Sequence, residues 1–369
     1  MVHLARGENI YKRKDGRWEG RYPKGRRADG SLLYGYIYSS SYKIVREQII
    51  EKKAQWQLIH KPVPYYFSGT FGDWVDIWLN KLMKGRLKPS TYTSYSNKFQ
   101  VHILPYLGRL SLEKITAANI DQLIQEISKE LRPSSVHVVF RLLKSCIYAA
   151  KERGYIYINP CEQTILPRYK KTKVRALTRQ EQQAVEVESL KSYKGLPILL
   201  ALETGMRIGE ICALKWSDIN FSSSTLQVRR TKQRVNNTYA NDSRTCLIET
   251  EPKTMAGDRI IPLSKKLKKL LIAELDRTNS AYVISNGIHS VEPRTLNYRF
   301  EKIKREIGLQ QVSFHSLRHT FATRCVELGA NIASISALLG HTSIKLTLDT
   351  YASSFFEEQQ ATIKKLEQL

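Results

Sequence analysis

Acidic side chains and long apolar runs are what this sequence lacks. Only 34 Asp and Glu face 59 Lys and Arg across 369 residues, which leaves a formal charge of +25 and a pI near 9.8. Such an excess implies a polyanionic partner, because clustered cations displace the counterions of a nucleic-acid backbone. No apolar stretch is long enough to span a bilayer, and no single basic amphipathic helix points to a lipid surface. Nucleic acid, with no membrane, is therefore the expected partner. The five cysteines, Cys146, Cys161, Cys212, Cys246 and Cys325, are widely spaced, odd in number and without a C-x-x-C pair. That pattern suggests neither a disulfide framework nor a zinc site. Residues 1–11 lack the apolar core of a secretion signal, so a reducing, cytoplasmic setting is expected. There is no G-x-x-x-x-G-K-[ST] loop and no carboxylate cluster spaced to hold Mg²⁺, which disfavours ATP chemistry and two-metal nucleases or transposases.

What is present is ordinary globular material, 42% hydrophobic and 25% charged, at a length that predicts two or three domains. Residues 1–61 alternate short apolar runs with turn signals at Asp15-Gly16 and Asp29-Gly30, predicting three short strands followed by a helix over 42–59. The first 60 residues carry 13 Lys and Arg against 6 Asp and Glu. Lys61-Pro62-Val63-Pro64 reads as a linker. From 66 to 165 the pattern is helical, in segments 70–82, 92–104, 119–131 and 134–153, with Ser90, Thr116 and Ser134 as expected N-caps and Gly154 as a stop. Residues 166–178 form a basic connector holding Arg168, Lys170, Lys171, Lys173 and Arg175, either a solvated linker or a strap over phosphates. Residues 179–369 read as mainly helical, with strands at 226–230, 246–251 and 259–263 and a turn at 254–258 joining the last two as a hairpin.

Four stretches of this last segment hold polar groups where packing would not ask for them. Arg207 and Glu210 interrupt an apolar helical run. His315 and Arg318 are three apart and can share one helical face. His315 and His319 also have zinc-helix spacing, but Ser316 stands where a zinc protease needs Glu, so no metal is expected. Leu339-Gly340-His341 precedes Thr350-Tyr351, with room for a turn and the start of another helix. Pro252-Lys253-Thr254 lies at the expected hairpin, where a lone Lys is normally a solvated edge charge. A lone Tyr among 20 is ordinarily core or surface, so the context has to carry Tyr351.

Together the four stretches resemble the tyrosine recombinase family, the phage and transposon integrases. Arg207 with Glu210 matches the first arginine motif, Lys253 the lysine motif, His315-x-x-Arg318 the H-x-x-R box, Leu339-Gly340-His341 the L-G-H box and Tyr351 the nucleophile. Gly257 departs from the serine common between the lysine and Arg259. The helical segment is similar to the family's core-binding domain. The stretch around Tyr11-Lys12-Arg13-Lys14-Asp15-Gly16-Arg17-Trp18 resembles the arm-binding sheet of the larger integrases. The resemblance implies an arm-binding sheet with helix, an all-α core-binding domain and a mainly α catalytic domain with a small antiparallel sheet. Arg168, Lys170, Lys171, Lys173 and Arg175, with Lys12, Arg13, Lys14, Arg17 and Arg21 of the sheet, are the expected DNA contacts.

The implied enzyme is a bacterial, nucleoid-associated recombinase of a mobile element. It would cut double-stranded DNA at core sites through a 3′-phosphotyrosyl bond, pass through a Holliday junction as a homotetramer, and use no cofactor. Arm-type sites, and an excisionase or host DNA-bending protein, complete the implied partners. Phe355, Phe356, Ala361, Ile363 and Leu366 suit an amphipathic tail helix, which the resemblance docks into a neighbouring subunit. The alternatives are a cellular chromosome-dimer recombinase, a type IB topoisomerase and, from another class, a DNA-binding regulator that does not cut.

Overall fold

A computed structural model describes residues 9–26, 31–59, 67–169, 174–237, 244–251, 255–345, 347–348, 363 and 367. The chain divides into two compact units, Met1–Met83 with Asn97–Pro167, and Lys84–Ser96 with Arg168–Leu369. Among the expected features, the Asp29-Gly30 turn, the Lys61–Pro64 linker, Lys170, Lys171, Lys173, Lys253, Tyr351 and nearly all of the tail lie outside the described residues.

The first unit opens with an antiparallel sheet of β1 (Ile10–Lys12), β2 (Trp18–Arg26) and β3 (Leu32–Ser39), followed by α1 (Tyr42–Ile59). Gly16, at a φ of +84°, makes the first turn. Ile10, Val45 and Ile49 form the core between sheet and helix, with Trp18, Ile37 and Tyr42 against it. A Cβ at Gly20 would lie 2.0 Å from Ile49 Cδ1, so glycine is what lets α1 close onto β2.

The same unit contains α2 (Phe71–Asp76), continued by a wider helical turn over Ile77–Met83, then part of α3 (Pro89–Lys98), α4 (Leu104–Leu107), α5 (Ala117–Glu130) and α6 (Pro133–Glu152). Phe71, Trp74, Trp78, Phe99, Ile120, Leu123, Leu143 and Ile147 are fully buried, and the Trp74 indole donates to the Cys146 carbonyl at 3.0 Å. Thr116 caps α5 reciprocally with Asn119, as the sequence predicts. Ser90 and Ser134 do not cap. Pro89 and Pro133 take the first helical positions, where a missing N–H costs nothing, and displace each start by two residues. Gly154 ends α6 at a φ of +74°, with its N–H on the Lys151 carbonyl and that of Tyr155 on Ala150.

The second unit carries α7 (Arg179–Leu190), α8 (Leu196–Thr204), α9 (Ile208–Ala213), β4 (Ile219–Asn220), β5 (Thr225–Val228), β6 (Thr231–Asn236), β7 (Thr245–Thr250), β8 (Arg259–Pro262), α10 (Lys265–Leu275), β9 (Ser285–Asn286), β10 (His289–Ser290), α11 (Pro293–Glu306), α12 (Phe314–Glu327) and α13 (Ile332–Leu339). Helix α8 is buried on nearly every side and anchors a core reaching Leu226, Ile261, Leu296, Phe300 and Leu317. The expected hairpin is corrected. The strand at 246–251 pairs with β6, not with β8, in full register from Thr231↔Thr250 to Asn236↔Thr245. Strand β8 pairs with β5 instead. The six residues of β6 give β7 a complete hydrogen-bonding partner, and β8, with Arg259 and Ile261 inward, joins the sheet whose Leu226 and Ile261 share a core with α8.

Candidate active site

Three segments far apart in sequence meet at the C-terminal end of α13. That end leaves carbonyls without intrahelical donors and carries the negative pole of the helix dipole. The chain answers with three guanidiniums. Arg259 donates to the Leu338 carbonyl at 2.6 Å, Arg318 to Leu339 at 2.6 Å and Arg207 to Gly340 at 3.4 Å. Arg318 also donates to the Gly205 carbonyl at 2.7 Å, where α8 ends. Both glycines are left-handed, at φ +65° for Gly205 and +64° for Gly340. A Cβ at Gly340 would lie 2.8 Å from the Ala256 carbonyl and 3.1 Å from the Arg259 side chain. The L-G-H box thus has a physical reason at each letter: Leu339 is in the core, Gly340 makes the turn, and His341 follows it into the site.

Glu210 supplies the balancing charge. Its carboxylate accepts from both Arg259 amino groups, at 2.8 and 3.2 Å, from the Arg207 side chain at 2.8 Å and from the Arg207 backbone N–H at 2.8 Å. Burial alone would raise its pKa, but the hydrogen bond and charge of Arg259, then the charge and backbone N–H of Arg207, hold it below the usual range. Arg259 and Glu210 are both buried, whereas the Arg207 side chain is 41% exposed. Arg207 is therefore the guanidinium open to an incoming anion, and Arg318, only 3% exposed, is fixed behind it.

His315 leads α12 with an exposed edge, its ring 4.9 Å from that of His319 and edge-on to it. His341 Nδ1 lies 2.7 Å from the buried Thr347 Oγ1, which leaves Nε2 for a ligand. Burial, then Arg318 and Arg207, lower the His315 pKa. Burial, then the same two arginines, bring His341 to about 4. Burial, then His315 and Arg318, bring His319 to about 4. At neutral pH the site presents arginine cations beside neutral imidazoles.

Of the residues expected from sequence, Arg207, Glu210, Arg318 and His341 are linked through the ends of α8 and α13, and His315 lies near Arg318 and Arg207; Lys253 and Tyr351 lie outside the described residues. Arg259 was missed. Its signal was an arginine on the inward face of an alternating strand, together with a glutamate in an apolar run that required a buried cation. In the connector, Arg175 is held by two hydrogen bonds to Glu181, at 2.7 and 2.8 Å, and one to the Gln310 carbonyl at 3.1 Å. It fastens the connector to α7, while Arg168 lies exposed upstream. On the N-terminal sheet, Arg21 lies 3.5 Å from the Tyr34 ring centre and Arg13 5.4 Å from that of Tyr38, on a face where Tyr11, Tyr36 and Tyr38 are exposed. Arg13 and Arg17 also pair with Glu19 and Asp15. Lys12 alternates to the other face, 5.7 Å from the Trp18 ring, and Lys14 is exposed in the turn.

The sequence model described as "Phage integrase family" matches residues 170–358, and that of the "Phage integrase, N-terminal SAM-like domain" matches 70–128. A protein named "Tyrosine recombinase XerC-like" from Caldanaerobacter subterraneus subsp. tengcongensis is 25% identical over 372 residues, covering 94% of each chain. Among solved structures, a Tn1549 transposon integrase in complex with a circular intermediate DNA superposes with a TM-score of 0.67 at 20% identity, over 81% of this chain and all of that one. A lambda integrase tetramer bound to a Holliday junction gives 0.59 at 22% identity, over 92% of this chain and 97% of that one. The fold is that of the integrases, with the N-terminal sheet, a helical SAM-like domain and a mainly helical domain bearing small sheets. The chain belongs to the phage integrase family and is a tyrosine-type site-specific recombinase.

Two outcomes follow from the charge arrangement. Glu210→Gln leaves Arg259 buried without its anion, and breaking such a pair costs about 3–5 kcal/mol. Urea unfolding of the full chain checks this, and a loss under about 1 kcal/mol would mean the pair is not sealed from water. Stability of the DNA-free protein is expected to be flat above pH 6.5 and to fall between pH 6.5 and about 4. In that window the unfolded chain takes up protons that folded His341 and His319 refuse. Melting temperature against pH should show this slope, and His341→Gln should make it shallower, with His319 supplying what remains.

Proposed function

We propose that this recombinase is the integrase of a mobile element, cutting and rejoining DNA through Tyr351. The observation that carries the reading is the α13 terminus, which holds Arg207 and Arg318 on adjacent carbonyls with His315 and His341 near both cations. Charge developing on the non-bridging oxygens of a phosphodiester needs fixed donors, and planar guanidiniums that stay protonated suit that task. Backbone carbonyls orient Arg318 while carrying only partial charge, and Arg207, shared with Glu210, keeps an exposed side that can meet the phosphate.

In the proposed step the Tyr351 oxygen attacks phosphorus, the P–O5′ bond breaks, and a 3′-phosphotyrosyl bond forms. The phenolic proton passes to neutral His315, and Lys253 gives a proton to the departing 5′ oxygen. Attack by a 5′-hydroxyl of another duplex reverses the step, so the bond energy is conserved without ATP. Four such cuts join two duplexes, which fits a homotetramer and a Holliday junction, as in the lambda integrase structure. The exposed tyrosine and arginine face of the N-terminal sheet supports a second, arm-type DNA site. The XerC-like relative matches this chain over 94% of its length and favours a second reading, a cellular chromosome-dimer recombinase.

Incubation with a nicked duplex carrying the core site, recovered by selecting bound sequences from a random pool, should give a denaturant-resistant adduct. Tyr351→Phe should abolish the adduct while leaving binding intact. An adduct that persists in the variant removes Tyr351 as nucleophile. Removing residues 1–60 should abolish arm-site binding while core-site cleavage persists. Unchanged binding to all selected duplexes would instead favour the chromosomal reading.

A further inference from the structure

Away from the α13 terminus, a second set of charged groups surrounds β7. Tyr282 donates its hydroxyl to Glu249 Oε1 at 2.5 Å. Lys215 Nζ lies 3.5 Å from Glu249 Oε2 and Lys232 Nζ 3.4 Å from Glu249 Oε1. Both ammonium groups also sit over the Tyr282 ring, at 5.1 and 4.8 Å from its centre. These contacts rest on backbone pairings: Lys232 is directly opposite Glu249 between β6 and β7, and Lys215 bridges Tyr282. Lys232 is bonded in addition to Ser290. None of these four side chains belongs to the chemistry proposed above.

Their place along the chain gives them a purpose. Strand β7 ends at Thr250, and Lys253 follows Glu249 by four residues, roughly 13 Å of extended chain at most. On the far side, Arg259 is locked to Glu210 and the Leu338 carbonyl, and it also donates to the Gly257 carbonyl at 3.3 Å. The described residues on either side of Lys253, the end of β7 and the start of β8, are thus each fastened. The upstream end is tied to the Arg207 helix as well, because a Cβ at Gly209 of α9 would lie 2.5 Å from Thr231 Oγ1 and 2.7 Å from the Lys232 carbonyl of β6.

We infer that Glu249 and Tyr282, with Lys215 and Lys232, are positioning residues that set where Lys253 delivers its proton. The inference rests on the reading of Lys253 as general acid. A Glu249 carboxylate held by Tyr282, Lys215 and Lys232 fixes the end of β7 against β6 and against the Lys215–Tyr282 bridge, four residues before Lys253. Loosening that point misplaces the proton donor while the phosphate clamp and the nucleophile are untouched. The affected event is proton transfer to O5′ as the P–O5′ bond breaks.

A substrate with sulfur in place of the bridging 5′ oxygen separates this role from a structural one, since a thiolate departs without being protonated. Single-turnover adduct formation by the full chain is measured on oxygen and sulfur duplexes of the same core sequence, for wild type, Glu249→Gln, Tyr282→Phe and Lys253→Ala. General acid catalysis contributes about 10²–10⁴-fold, and misplacing the donor should forfeit part of it. Glu249→Gln and Tyr282→Phe are expected to slow the oxygen substrate by about tenfold or more and the sulfur substrate by less than about twofold. Duplex affinity and melting temperature should stay close to wild type. Equal slowing on both substrates, or no slowing on oxygen, overturns the positioning role. Lys253→Ala tests the underlying reading separately. If sulfur fails to restore that variant, Lys253 is not the acid. If sulfur restores Lys253→Ala but not the Glu249 and Tyr282 variants, only the inference falls.

Discussion

The end of α13 is the constraint on which the described site depends. A helix terminus has carbonyls that its own backbone cannot satisfy, and here three arginines from β8, α12 and the start of α9 satisfy consecutive ones. Each contact is an ordinary charge-assisted hydrogen bond. Their effect is joint, because three elements up to 133 positions away in sequence are tied to one helix end. The left-handed glycines Gly205 and Gly340 turn the chain sharply at these ends, Gly205 leaving room for Phe321 and Leu339 and Gly340 for the Arg259 side chain.

Charge is graded across the site. Arg259 is spent on Glu210, Arg318 on two carbonyls, and Arg207 is shared between Glu210 and solvent. A full carboxylate neutralises one buried guanidinium, and partial charges orient the other. The most exposed one is left to meet an anion. Neutral imidazoles beside it can accept a proton, which imidazolium ions could not do. The same arrangement disfavours a bound metal cation among the described groups, since arginines already fill the electrostatic role that a metal would take.

Much of the local structure was legible because it depends on neighbours in sequence. The strands and helix of residues 9–59, the Thr116 cap and the Gly154 stop follow from turn chemistry and periodicity. The failures were of two kinds. Ser90 and Ser134 lost the cap position to adjacent prolines, a competition between two local rules that the residue pattern alone ranked wrongly. The hairpin was mispaired because strands adjacent in sequence are the default partners, whereas β7 found a complete register with β6 and β8 turned to β5.

By itself the sequence determined the chemistry available: a strongly basic chain, and arginine, histidine, lysine and tyrosine motifs in the order of one enzyme family. Each depends only on residue identity and spacing, which folding cannot change. Tertiary structure alone decided what each charge is paired with. Arg259 looked like a strand residue until burial placed it against Glu210, and only the fold pairs Arg175 with Glu181. Glu249 and Tyr282, 33 positions apart, had no sequence signal at all. Pairing is set by distance in space and by desolvation, and neither can be read along the chain.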